Sequence, residues 1–117
     1  MSETIDTIIQ WHKETFKDAD IGGQIHKYAE ETCEFIEASA ITELSELADM
    51  VIVCAGIIRF NRKLGSIFLQ NTYIITAQYG WDMTELWEEV NKKMEKNRKR
   101  VWAKQENGTY HHTNKED

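Results

Sequence analysis

Residues 27–58 read KYAEETCEFIEASAITELSELADMVIVCAGII, and the second half of this stretch decides the fold class. From Leu44 to Ile58 the residues are apolar almost all round, the pattern of a helix enclosed by other helices. Glu46 and Asp49 interrupt it, and both fall on the stripe of Met50, Val53 and Ile57, which directs them toward the interior of a bundle. The first half carries a second acidic set. Advanced at 100° per residue, Glu31 and Glu34 share one helix face, and Lys27 joins them one turn earlier.

Outward from this centre, helical periodicity dominates. The chain has no proline and only six glycines, so the usual punctuation of strands and turns is nearly missing. Five helices are expected. The first, over 3–17, aligns Ile5, Ile8, Ile9, His12 and Phe16, with Trp11 beside them. The second, over 24–39, buries Ile25, Tyr28 or Ala29, Thr32, Phe35 and Ile36. The third, over 42–63, opens at Thr42 as N-cap and is the central helix. Gly65 and Ser66 read as a stop and a new cap for a fourth helix to residue 78. Asp82 with Glu85 three residues on fits a capping box for a fifth, over 82–102. The expected class is all-α, a four- to five-helix bundle in one domain over 1–104. A polar, mobile tail over 105–117 turns at Asn107-Gly108.

Composition narrows the function classes. A net charge of −6 over 117 residues argues against a nucleic-acid polymer as partner, because such proteins carry a basic face. Cys33 and Cys54 each sit in an apolar helical pattern without metal-ligand spacing and read as reduced core thiols. The first residues lack a basic segment followed by an apolar run, and the longest apolar stretch, 50–58, is too short for a bilayer. A soluble cytoplasmic domain without membrane contact is expected.

If the second and third helices form an antiparallel hairpin, Glu31 and Glu34 face Glu46 and Asp49. Two like charges about 4 Å apart repel by roughly 4 kcal/mol at an effective dielectric of ~20, so four converging carboxylates call for cations. The donors are all hard oxygens, which selects magnesium, with manganese as substitute. Each acidic cluster alone also fits a solvated helix face. On the fifth helix Leu86, Val90, Met94 and Val101 form the core stripe, Asn97 falls within it, and Lys93 and Arg100 flank it. Asn97 is either a buried structural amide or a group facing a phosphate chain between two cations. Trp11 either closes the core or offers a face for a nucleobase to stack on. His12 and His26 read as packing or surface residues, and His111-His112 lies in the tail.

The pattern Lys27-x-x-Glu30-Glu31-x-x-Glu34, a spacer from Phe35 to Ser45, then Glu46-x-x-Asp49 resembles the MazG-like all-α nucleoside triphosphate pyrophosphohydrolases. The spacer is at the short edge of that family's range. Trp11 and Phe16 in the first helix and the basic segment from Lys93 through Lys96 and Arg100 to Trp102 extend the resemblance over most of the chain. It says little about residues 110–117.

The resemblance implies an oligomeric, magnesium-dependent enzyme that cleaves an NTP or dNTP to the monophosphate and pyrophosphate. A metal-activated water attacks the α-phosphorus. By position the metal ligands are Glu31, Glu34, Glu46 and Asp49, with Glu34 the candidate to orient or deprotonate the water. Trp11, Lys27, Lys93, Asn97 and Arg100 are the candidate substrate-binding residues. Two narrower enzymes on the same fold are alternatives, a dUTP/dCTP-type pyrophosphatase and a phosphoribosyl-ATP pyrophosphohydrolase. A non-catalytic metal-binding helical scaffold is the alternative of another class. The surplus of apolar surface on the third and fourth helices predicts a homodimer or homotetramer.

Overall fold

A computed structural model describes residues 2–106 and 108–113. Helix α3 (Glu43–Phe60) is the axis of the molecule. Leu47, Ala48 and every residue from Met50 to Ile58 are buried, and α1 (Ile5–Thr15), α2 (Ile21–Glu37), α4 (Arg62–Gln78) and α5 (Met83–Asn97) all pack on it. The chain is compact and mostly helical, with a radius of gyration of 13.3 Å. A short antiparallel hairpin follows, β1 (Trp102–Lys104) paired with β2 (Tyr110–His112), in the register Trp102 to His112 and Lys104 to Tyr110.

Local chemistry sets most of the boundaries. Thr4 and Thr7 form a capping box at α1, and the Asp20 carboxylate accepts the Gly23 N–H at 2.7 Å at α2. Asp82 and Glu85 form the expected capping box of α5. Thr42 occupies the N-cap position of α3 but makes no side-chain cap bond. The break between α3 and α4 falls at Asn61, not at Gly65-Ser66. Asn61 is extended, ends α3, and caps α4 by accepting the Leu64 N–H at 3.0 Å. Gly65 lies inside α4 and serves packing, since a Cβ there would come within 2.7 Å of Ile58 Cα.

Three other expectations are corrected. α2 is rolled so that Gln24 and Glu31 are buried, while Ile25 and Ile36 are 38% and 73% exposed. Its carboxylate face, not its isoleucine face, turns toward α3. Cys33 is exposed for the same reason, whereas Cys54 is buried in α3. α5 stops at Asn97 rather than continuing to residue 102, which leaves Val101 exposed and lets the chain reverse into the hairpin.

Part of the segment read as a tail is thereby structured. Trp102 and Tyr110 pack against the core, Lys104 Nζ donates to the Asp18 carbonyl at 2.6 Å, and Gly108, at φ +86°, turns the chain beside Gly23. A side chain at position 23 would meet the Gly108 carbonyl, so both glycines are needed for this approach. Asn107 of the expected turn and residues 114–117 of the expected tail lie outside the described residues. Among the described residues, no helix is long and apolar enough to cross a membrane.

Candidate functional site

A cavity of about 760 Å³ opens between α1, α2, α3, α5 and the hairpin. Its lining includes every candidate metal-ligating and substrate-binding residue: Trp11, Lys27, Glu31, Glu34, Glu46, Asp49, Lys93, Asn97 and Arg100. Helical periodicity accounts for the acidic part. Glu31 and Glu34 are one turn apart on the rolled face of α2, as are Glu46 and Asp49 on the first turns of α3.

One oxygen from each of Glu31, Glu46 and Asp49 lies within 4.8 Å of the others. Glu34 stands outside this triad, exposed at the rim beside Glu31. Burial is the main reason that the Glu31 carboxyl is pushed up to about 9, and the neighbouring charges of Asp49 and Glu34 add to it. Glu46 and Asp49 are also raised, first by desolvation. Asp49 adds to the shift at Glu46, whereas Lys93 opposes the shift at Asp49. Glu31 Oε2 is buried and has no hydrogen-bond partner among the described residues. A crowded, desolvated oxygen set with an orphaned acceptor has the donor chemistry of a hard divalent cation site.

Cations border this set. Lys93 Nζ is 3.1 Å from Asp49 Oδ2, and Lys27 Nζ is 3.8 Å from Glu31 and 3.6 Å from Glu30. The Arg100 guanidinium donates to Asn97 Oδ1 at 2.9 Å and lies 5.9 Å from the Trp102 ring centre. Asn97 is buried, its amide touching Met94 Sδ at 3.7 Å.

The other side of the cavity is aromatic. Phe16 packs on Trp11 at 5.1 Å, on Trp102 at 5.2 Å and on Tyr110 at 4.6 Å between ring centres, and the first two contacts are edge-to-face. Two of these rings come from the hairpin. His111 and His112 also line the cavity, and His111 Nε2 lies 3.9 Å from Glu30. The residues that sequence reasoning passed over are therefore Gln24, Tyr110 and these histidines. The alternation of Tyr110 and His112 with Trp102 across a turn was the available signal, but the segment is too short and polar for a periodicity argument. His12 is buried at the cavity wall, where burial holds its imidazole down at about 4 and favours the neutral ring.

Comparison with known protein families, curated proteins and solved structures finds no match to this chain.

Proposed function

We propose that this chain is a magnesium-dependent nucleotide pyrophosphohydrolase of the MazG-like, all-α type, cleaving an NTP or dNTP to the monophosphate and pyrophosphate. One observation carries the reading. The oxygen triad of Glu31, Glu46 and Asp49, with its orphaned buried Glu31 Oε2, shares one cavity with the Lys27, Lys93 and Arg100 cations and with an aromatic wall. Those three elements match a divalent cation, a phosphate chain and a base. The motif resemblance supports the same assignment.

Glu31, Glu46 and Asp49 would hold magnesium, with manganese as substitute. Bound there, the ion would neutralise phosphate charge and activate a water. Glu34, beside Glu31 but outside the triad, would accept a proton from the attacking water. The new bond forms at the α-phosphorus, the bond to the α–β bridging oxygen breaks, and pyrophosphate leaves. Lys27 and Lys93 exchange carboxylate partners for phosphate oxygens, Arg100 adds a third cation, and Asn97 holds Arg100 in position. Trp11 and its neighbours exclude water and stack the base.

The exposed isoleucines of α2 and α4 support association into a dimer, or a tetramer of dimers. The deciding assay is pyrophosphate and monophosphate release from the common ribo- and deoxyribonucleoside triphosphates, with and without magnesium. Release of orthophosphate instead, or no release with any nucleotide, overturns the reading. A non-catalytic metal-binding scaffold is favoured by the Lys93–Asp49 pair, which neutralises part of the cluster internally. It predicts that magnesium raises the melting temperature while no triphosphate is consumed.

A further inference from the structure

His12 and Gln24 form a buried pair at the cavity wall that three helices hold in one arrangement. Arg59 Nη1 lies 3.0 Å from His12 Nδ1. A guanidinium only donates, so Nδ1 is the acceptor and the ring proton sits on Nε2. That Nε2–H donates to Gln24 Oε1 at 3.0 Å. Turning the amide over would set its NH2 against the Nε2–H, donor against donor, so the orientation of Gln24 is fixed by the ring.

The lock is anchored on both sides. Arg59 Nη1 also reaches the Phe16 carbonyl at 2.9 Å and the His12 carbonyl at 3.3 Å, which holds the guanidinium against the end of α1. Gly56 of α3 makes room for the pair, since a Cβ there would lie 2.6 Å from Gln24 Oε1 and 2.7 Å from His12 Nε2. Gln24 Oε1 is thus committed to the protein. Its NH2 group is the half left for the cavity, and no described residue accepts a hydrogen bond from it. The second amide of the cavity is committed in the same sense, with Asn97 Oδ1 accepting from Arg100. Gln24 therefore offers a base its N–H donors, whereas Asn97, whose Nδ2 donates to Met94 Sδ at 3.7 Å, is engaged on both sides of its amide.

We propose that Gln24 reads the nucleobase, its amide N–H donating to an exocyclic carbonyl of a base stacked on the aromatic wall. The site then takes keto bases (uracil, thymine, hypoxanthine, guanine) over their amino counterparts. This rests on the triphosphate reading of the cavity and deepens it. An amino group in the carbonyl's place would oppose the locked Gln24 N–H with a second donor and leave a donor of this buried amide unpaired. A pocket built around a polar group rejects the analogue that cannot pair with it more strongly than an apolar pocket rejects a change of shape.

The test uses two matched pairs, dUTP against dCTP and dITP against dATP, each exchanging keto for amino at the position read. Equilibrium binding to the full-length protein is measured by calorimetry with calcium in place of magnesium, and pyrophosphate release is measured separately. The keto member of each pair is expected to bind roughly tenfold tighter or more. Gln24→Met should remove the preference, and Gln24→Glu, which replaces the donor by an acceptor, should remove or reverse it. Circular dichroism checks that each variant folds, and the ratios of the unaltered protein decide the matter without them. Affinities within about twofold in both pairs, no binding at all, or a preference that survives both substitutions overturns the proposal. Pyrophosphate release without keto preference would sink this inference and leave the enzyme assignment standing. Keto-selective binding without pyrophosphate release would do the reverse.

Discussion

Glu31 shows most directly what the acidic set costs the fold. Its carboxyl, raised from 4.5 to about 9 chiefly by burial, holds a proton in the folded chain that the unfolded chain gives up above pH 4.5. Stability from this group is therefore complete below pH 4.5 and is lost as pH rises toward 9, and Glu46 and Asp49 shift in the same direction. His12, lowered from 6.5 to about 4, has the opposite sign, and its stabilisation grows as pH rises from about 4 to 6.5. The two trends oppose each other below pH 6.5, and above it the carboxylates set the slope. Scanning calorimetry in chelator should show the melting temperature falling between pH 6.5 and 9 by an amount on the order of 5 °C. Magnesium should diminish that fall. A melting temperature that is flat or rises across the window would contradict the burial of Glu31 in its charged surroundings. For turnover, Glu34→Gln and Asp49→Asn should each lower kcat by ~100-fold or more, Glu34 through the proton and Asp49 through the cation. Unchanged turnover in both would remove these carboxylates from the mechanism. The acidic residues were legible in the sequence because spacing within one helix is a local property. Gln24 was not, because its role depends on a ring from α1, a guanidinium and a glycine from α3, and no spacing within α2 encodes them.

At the scale of elements, the helices followed from apolar periodicity and from caps such as Asp82 with Glu85, while their junctions depended on packing. Gly65 illustrates the difference. As a glycine before a serine it reads as a helix stop, yet Asn61 makes the break and Gly65 lets α4 approach Ile58 of α3. Two effects then compete in Gly65→Ala. Helix propensity alone would stabilise the variant by about 1 kcal/mol. The added Cβ, however, meets Ile58 backbone at distances that no rotamer change relieves, and overpacking of this kind costs about 1–3 kcal/mol. Packing should win, and urea denaturation should give a lower midpoint than for the unaltered protein; a higher midpoint would show that α4 can shift freely on α3. The hairpin is the element that pattern reading missed. Its strands are three residues each, and what holds them is Trp102 and Tyr110 packed on Phe16 rather than any repeat in their own sequence. Replacing Trp102 and Tyr110 together by alanine strips two rings from the aromatic wall. The variant should lose nucleotide affinity by ~10-fold or more while α1 to α5 keep their far-ultraviolet dichroism. Unchanged affinity would detach the hairpin from the site.

The whole molecule places its apolar residues unevenly. α3 is satisfied by its four helical neighbours, so the surplus appears on α2 and α4, where Ile36, Ile67 and Ile74 are 73%, 50% and 60% exposed. Tyr28 packs on Phe68 with the rings tilted and hydrogen-bonds Thr72 at 2.8 Å, and Phe35 packs on Tyr79, so the two helices adjoin. The roll of α2 that turns Gln24 and Glu31 into the cavity is what turns Ile25 and Ile36 out. Site and apolar face are therefore two results of one rotation. A face of this kind is covered most simply by a second copy of itself about a twofold axis. Sedimentation at micromolar concentration should accordingly give a dimer or a higher even species. Ile36→Lys combined with Ile74→Lys should shift it to the monomer, because each lysine would bring a charge into the contact without disturbing a residue that the single chain buries. Since the cavity is lined within one chain, that monomer should retain nucleotide binding even where its melting temperature falls. A monomer before substitution would dismiss self-association. A double variant that loses binding along with its partner would show that the second copy steadies α2, and through it the acidic face that α2 presents.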